Sequence, residues 1–185
     1  MTSPAAGPVA DSVRLAWPTE ADAIADLQRR SWAELPGAIG GRLLASIGAA
    51  EMTEVWHQVI SRPPQAQYRV LVATTEARMV GFATTLPSAD ADGDAGRDAE
   101  IAEFVVDPPA RHLGHGSRLL NACADTLRAD GFHRAVCWVV AADDARRRFL
   151  TVAGWAPDGA HREIGTEDDA IRVKQIRLHT DLLPG

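Results

Sequence analysis

Residues 101–120 read IAEFVVDPPARHLGHGSRLL, and this segment decides the fold that the sequence predicts. Its first six residues include two valines, an isoleucine and a phenylalanine, a composition that favours a buried β-strand. The strand must end at Asp107-Pro108-Pro109, because proline has no N–H group to offer a ladder. From Ser117, apolar residues recur at three- and four-residue spacing up to Asp130-Gly131, which predicts a helix. The segment is therefore a strand, a turn and a helix.

The turn Arg111-His112-Leu113-Gly114-His115-Gly116 lies at the N-terminus of the predicted helix. The first N–H groups of a helix have no intrahelical partner, and the positive end of its dipole points outward there. The two glycines lack a Cβ atom, so a ligand can approach the backbone closely. The pattern indicates an anion site for phosphate, with a ligand-free tight connection as the alternative. It is not a dinucleotide fingerprint, since Leu119 replaces the third glycine, nor a Walker loop, which needs Gly-Lys-Ser/Thr.

This segment resembles the cofactor motif of the GNAT superfamily of acyl-CoA-dependent N-acyltransferases. In that family a strand ending Val-x-Pro is followed by Arg/Gln-x-x-Gly-x-Gly/Ala, and Val106-Asp107-Pro108 with residues 111–116 matches both parts in register. The resemblance covers nearly the whole chain. It is strongest for bacterial members with a tryptophan in the first helical region, here Trp32, and a late Gly-Phe/Trp-x-Pro-Asp-Gly segment, here GWAPDG at residues 154–159.

The resemblance implies an α/β fold with one GNAT-like domain over residues 12–185. The expected sheet is mixed and mostly antiparallel, with about six to seven strands splayed at strands 4 and 5, and with about four helices. Residues 1–11 are small, polar and proline-containing, which predicts a disordered lead-in. Helical spacing also breaks at Pro36-Gly37, and a polar turn is expected near residues 165–169.

The resemblance also implies a function. It is that of an N-acetyltransferase, which moves an acetyl group from the co-substrate acetyl-CoA to a primary amine of a small molecule or peptide, by direct attack in a ternary complex. The alternative is a catalytically weak acyl-CoA-binding or regulatory protein. The residues expected to bind the cofactor are Phe104, Val105, Val106, Arg111, His112, Leu113, Gly114, His115, Gly116, Ser117 and Asp143.

Glu103 is the candidate catalytic residue. Strand alternation places it on the face of Ile101 and Val105, opposite Glu100 and Phe104. A carboxylate in an apolar strand is costly unless it is paired, so its presence suggests a function. It also coincides with a glutamate that many family members use to draw the proton from the amine through water. A structural ion pair with an arginine is the alternative.

Two positions depart from the family pattern. A tyrosine normally follows a phenylalanine in the helix before the Gly-Phe/Trp pair, and here the two residues are Phe149-Leu150. Leucine has no proton for the departing thiolate, which leaves His112, His115 or water, or a protein that binds acyl-CoA without efficient turnover. The asparagine that the family carries at the start of this helix is replaced by Asp143.

Composition narrows the classes of partner. The chain has 185 residues, 46% of them hydrophobic, and a formal net charge of −6, which argues against a nucleic-acid-binding surface. No apolar run approaches a membrane span and the N-terminus lacks a secretion signal, so we expect a cytoplasmic protein; a homodimer stays open. Cys123 and Cys137 have apolar neighbours, which predicts reduced core residues. Residues 90–101 begin like a calcium loop but lack its glycine and closing glutamate, so no metal site is expected.

Overall fold

The computed structural model describes residues 11–35, 39–165 and 172–182. The predicted lead-in, of which only Asp11 is described, the break at Pro36-Gly37 and most of the polar turn near residues 165–169 lie outside these ranges. Within them the chain forms seven strands and five α-helices. The strands are β1 (Ser12–Leu15), β2 (Arg69–Thr75), β3 (Arg78–Pro87), β4 (Asp98–Val106), β5 (Arg134–Val140), β6 (Ala156–Gly165) and β7 (Arg172–Asp181). The helices are α1 (Ala21–Ala33), α2 (Ile39–Ser46), α3 (Ala49–Ser61), α4 (His115–Ala129) and α5 (Asp144–Val152).

The strands form one sheet in the order β1-β2-β3-β4-β5-β7-β6. The pairings of β1 with β2, β5 with β7 and β6 with β7 are antiparallel, and that of β4 with β5 is parallel. The ladder between β4 and β5 joins residues 98–100 to residues 134–136, at the start of both strands. The predicted mixed sheet is confirmed, and a short ladder at this point is what a splay between the two strands requires.

The chain divides into two compact units. The first contains Met1–Pro63, Val70–Ala83 and Phe104–Ala122, and the second contains Pro64–Arg69, Thr84–Glu103 and Cys123–Gly185. The core of the first unit brings the apolar face of α1 together with Trp56 of α3 and Phe82 of β3. The rings of Trp56 and Phe82 meet edge to face at 5.1 Å, and the Trp56 indole donates to the buried Gln28 Oε1 at 2.8 Å. The buried amide is therefore satisfied, and Trp32 packs against this core.

In the second unit, β5 supplies five consecutive buried residues, at positions 135–139. Cys137 on β5 and Cys123 on α4 are free and buried, and burial raises the pKa of the Cys137 thiol to about 11 and that of Cys123 to about 12. Both thiols therefore stay protonated near neutral pH and are poor nucleophiles. The prediction that they are reduced core residues is confirmed.

An arginine of β7 gathers the acidic residues of the loop between β3 and β4. Arg177, whose side chain is 5% exposed, donates to Asp92 at 2.6 and 2.7 Å, to Asp90 at 3.0 Å and to Asp158 at 2.8 Å. The Trp138 indole N–H also contacts the Asp90 carboxylate, at 3.2 Å. The acidic run that resembles a calcium loop thus binds a guanidinium and fixes the loop within this unit.

Among the strands that the structure describes, β6 pairs only with β7, and this pairing is irregular. Its register shifts between Pro157 and His161, and Gly159 lies in this stretch with a φ of +88°. Proline is tolerated at a sheet edge because no ladder needs its N–H, and glycine adopts a positive φ without steric cost. No helix in the described ranges is both long and apolar enough to span a membrane.

Candidate functional site

The predicted anion turn joins a short 3-10 turn at Pro108–Ala110 to α4. His112 and Gly114 have positive φ values, +62° and +86°. The carbonyl of Gly114 accepts a helical bond from the Arg118 N–H at 3.1 Å. Helix α4 begins at His115, two residues before the predicted start at Ser117. Gly116 therefore lies in the first helical turn, and the expectation that it belongs to the preceding loop is wrong.

The start of α4 provides the donors and the space that a phosphate needs. Because the helical bonding begins with Arg118, the N–H groups of His115, Gly116 and Ser117 precede it and lack an intrahelical acceptor. A Cβ atom built on Gly114 would meet nothing within 4 Å, so the space in front of this backbone is open. Leu113 beside it is 66% exposed. Donors, helix dipole and open approach coincide, and this turn fits a phosphate group.

The last turn of α1 makes two ion pairs to the entry of this turn. Arg30 binds the Asp107 carboxylate in a fork, at 3.2 and 3.3 Å, and Asp107 is nearly buried with 7% of its side chain exposed. Arg111 binds Glu34 at 2.7 Å and donates through Nε to the Val106 carbonyl at 3.2 Å. We call the pairs Arg30–Asp107 and Glu34–Arg111 the α1 clasp. The clasp thus contacts Arg111, the first residue of the anion turn.

The two histidines of the turn differ in accessibility. His112 is exposed, whereas His115 is buried, with its Nδ1 3.5 Å from an Arg118 nitrogen. Arg118 itself pairs with Asp11 at 3.2 Å. Of the two side chains, that of His112 is the accessible one.

Strand β4 contains a bulge beside Glu103. The Ser88 N–H donates to the Asp98 carbonyl and the Asp107 N–H to the Val80 carbonyl, so β4 carries one residue more than β3 between these bonds. The Glu103 N–H donates to the Thr84 hydroxyl at 2.9 Å. Period-two alternation consequently fails here, and the adjacent residues 104 and 105 are both buried. The predicted placement of Phe104 and Val105 on opposite faces did not allow for this bulge.

The surroundings of the Glu103 carboxyl group shift its pKa. Burial raises its pKa, a change that the charge of Glu100 reinforces and that of Arg146 opposes. Burial also raises the pKa of Glu100, with Asp90 adding to the increase and Arg162 opposing it. The alternative of a structural ion pair with an arginine stays open, and Arg146 is the arginine whose charge acts on Glu103. A raised carboxylate pKa suits a group that accepts a proton near neutral pH.

Asp143 lies at the N-terminus of α5. Its carboxylate caps the helix by accepting from the Arg146 N–H at 2.9 Å. Its predicted contact with the cofactor stays a prediction. Leu150, at the position of the family tyrosine, is 3% exposed and contributes to the core of the second unit.

Glu34, Arg30 and Thr84 were not identified from the sequence. For the clasp a signal existed, since residues 30 and 34 are one helical turn apart with opposite charges and residues 107 and 111 carry the complementary pattern. For Thr84 no sequence signal existed, because its role follows from the position of the bulge.

Residues 22–155 match the model of the acetyltransferase (GNAT) family. This match covers well over half of the chain, and the chain belongs to the GNAT acetyltransferase family. The predicted membership of the chain in this family is thereby confirmed. Family members use acetyl-CoA to transfer acyl groups.

Solved structures with the same fold include three acetyltransferase-related proteins. YncA from Salmonella typhimurium, solved with its cofactor acetyl-CoA, is 18% identical with a TM-score of 0.71, and the match covers 96% of each chain. An N-acetyltransferase from Staphylococcus aureus is 17% identical with a TM-score of 0.73, over 95% of this chain and 100% of the other. Ribosomal-protein-alanine N-acetyltransferase from Brucella melitensis is 18% identical with a TM-score of 0.72, over 92% and 99%. At these identities the similarity shows the fold alone. No match was found among curated protein sequences.

Proposed function

We propose that this protein is an acetyl-CoA-dependent N-acetyltransferase that acts on a primary amine of a small molecule or peptide. The observation that carries the proposal is the start of α4, where unpaired N–H groups follow a left-handed Gly114 that faces open space. The pyrophosphate of acetyl-CoA supplies the anion that this arrangement fits. Family membership supports the same cofactor.

The cofactor would be held by residues of one continuous segment. The N–H groups of residues 113–117 bind the pyrophosphate, and Arg111 adds a guanidinium. The backbone of residues 104–106 pairs with the pantetheine amides in the manner of a further strand. Asp143, at the start of α5, is a further candidate contact. The Arg111 guanidinium already donates to the Val106 carbonyl, so these two parts of the segment are joined.

The proposed reaction is direct attack of a neutral amine on the thioester carbonyl. The new C–N bond forms as the C–S bond breaks, the ammonium proton passes to a base and the thiolate of CoA receives a proton. Glu103 is the proposed base, acting through water, since burial raises its pKa and so makes its carboxylate a stronger base. His112 or water is the proposed source of the proton for the thiolate, because Leu150 has none to give.

The experiment that tests this function measures free thiol released from acetyl-CoA in the presence of a panel of amines. The panel should contain polyamines, amino acids, peptides with free N-termini and amine-bearing antibiotics. We expect release that depends on one class of amine, with a stoichiometric acetylated product found by mass spectrometry. Binding of acetyl-CoA without release for any amine would contradict the proposal.

That negative result would favour a second candidate, an acyl-CoA-binding or regulatory member of the family. Its support is Leu150, which is buried and lacks the hydroxyl that the family carries at this position. The acidic net charge and the two reduced, buried cysteines favour a cytoplasmic setting for either function.

A further inference from the structure

The Glu34–Arg111 pair places a carboxylate on a guanidinium that the cofactor also needs. We propose that Glu34 tunes the affinity for acetyl-CoA by competing with its pyrophosphate for Arg111. This inference rests on the proposed function, because it assumes that acetyl-CoA binds at the turn before α4. Glu34 is then a positioning residue that acts through Arg111 and touches no reacting atom.

The geometry of Arg111 makes the competition direct. A guanidinium carries five N–H donors in a fixed plane, and it binds carboxylate and phosphate in the same manner. One donor of Arg111 lies on the Val106 carbonyl at 3.2 Å, and another lies on Glu34 at 2.7 Å. A phosphate that takes two donors in a fork must therefore displace Glu34 or share the guanidinium with it. In the shared arrangement two anions lie well within the screening length of about 8 Å and repel one another.

The two ion pairs of the clasp differ in how readily they open. Glu34 and Arg111 are 45% and 42% exposed, so solvent screens their attraction and the pair is weak. In the other pair Arg30 is 51% exposed, but Asp107 is only 7% exposed and its main chain is bonded to Val80 and Ala110. The Arg30–Asp107 pair thus anchors the end of α1 on the strand, while the Glu34–Arg111 pair can open without moving it.

The surroundings of Glu34 leave room for this movement. An open cleft of about 600 Å³ runs along the clasp, lined by Arg30, Glu34, Arg78 and Asp107 together with alanine and proline side chains. Glu34 can therefore swing from Arg111 toward the cleft, where Arg30 and Arg78 offer other cationic partners. After release from Arg111, the negative charge of Glu34 can therefore still be balanced by one of these arginines.

The test measures the dissociation constant of acetyl-CoA by titration calorimetry for the wild type and for Glu34→Gln. We expect Glu34→Gln to bind about twofold to fivefold more tightly, in line with the strength of an exposed ion pair. Glu51→Gln is the matched control: it removes one exposed charge from α3, and Glu51 makes no ion pair within the described part of the chain. Glu34→Asp keeps the charge and should stay closer to the wild type than Glu34→Gln.

The same substitution is then made in an Arg111→Gln background. If Glu34 acts through Arg111, the gain from Glu34→Gln should disappear there. Unchanged or weaker binding of Glu34→Gln, an equal gain from Glu51→Gln, or an equal gain in both backgrounds would overturn the inference. Failure of the wild type itself to bind acetyl-CoA would instead contradict the proposed function, so the two failures are distinguishable.

Discussion

The backbone N–H of Glu103 donates to the hydroxyl of Thr84 at 2.9 Å, and this bond marks the bulge in β4. A bulge bends its strand and redirects the side chains around it. It occurs where the candidate base is followed directly by residues 104–106, which we propose to pair with the cofactor. The irregularity thus lies at the point of the strand where we propose both the catalytic base and the backbone ladder for the cofactor.

The role of Glu103 can be separated from a structural one by Glu103→Gln. This variant keeps the size and hydrogen-bonding capacity of the side chain but has no basicity. We expect kcat/KM to fall about 10²-fold or more near neutral pH, and the loss to shrink as pH rises because a neutral amine needs less help. Steady-state kinetics across a pH series checks this. An unchanged pH profile with full activity would remove Glu103 from the mechanism and turn attention to Glu100, Asp143 or water.

Stability measurements on the same variant have an expected sign. Burial raises the pKa of Glu103 above its ordinary value of 4.5, so the folded state favours the protonated acid. That contribution is full below the ordinary value and is lost as pH rises through the raised pKa. At pH 7 the neutral glutamine should therefore melt at or above the temperature of the wild type, and the difference should shrink toward pH 4. A lower melting temperature at pH 7 would indicate that Glu103 has a stabilising partner.

Gly114 is expected to be essential for cofactor binding. Ligand binding to the folded state adds about 2.7 kcal/mol at a hundredfold excess over Kd, and Gly114→Glu should abolish the corresponding rise in melting temperature. Any side chain at a φ of +86° is strained, so Gly114→Ala is the matched control and should itself cost about 1 kcal/mol. The alanine variant should retain a ligand-induced shift. A full shift in Gly114→Glu would place the cofactor elsewhere.

Leu150→Tyr tests whether the missing hydroxyl limits turnover. We expect kcat to rise, by up to about 10²-fold for a positioned proton donor. Because Leu150 is 3% exposed, the larger side chain should also cost about 1–3 kcal/mol of stability. Leu150→Phe adds the same ring without the hydroxyl and corrects for that cost. If the tyrosine and phenylalanine variants have equal kcat while both bind CoA, another group already protonates the thiolate.

Arg177 should be one of the most sensitive positions for stability. Arg177→Ala removes the arginine that pairs with Asp90 and leaves Asp158 with Arg134 alone. We expect a loss of about 3–5 kcal/mol in urea unfolding. Hydrogen bonds from Arg177 lower the pKa of Asp92, so the wild type should lose stability as pH falls below the ordinary aspartate value of 3.8. Arg177→Lys keeps the positive charge but loses the forked guanidinium. Its free energy of unfolding should lie between those of the wild type and Arg177→Ala. A cost below about 1 kcal/mol for alanine would show that the cluster is not stabilising.

Much of the fold could be predicted because its signals are local. The strand, turn and helix of residues 101–120 follow from valines, prolines and helical spacing, and the cysteines follow from their apolar neighbours. What escaped prediction depends on contacts between distant residues. The sequence around Asp90 and Asp92 does not predict that Arg177 is their partner. The bulge at Glu103 depends on the register between β4 and β3, which the sequence of β4 alone does not determine. The burial of Leu150 depends on how α5 packs, which the sequence of the helix alone does not determine.

The central claim is direct transfer of an acetyl group from acetyl-CoA to an amine, and single-turnover kinetics with excess enzyme tests it most directly. Acetyl-CoA alone should give no burst of free thiol and no change in the mass of the protein. Addition of the amine acceptor found in the panel should release one thiol for each acetylated amine formed. A thiol burst with an acetylated protein before any amine is added would contradict direct attack, and no release even with excess enzyme and amine would contradict the transferase assignment.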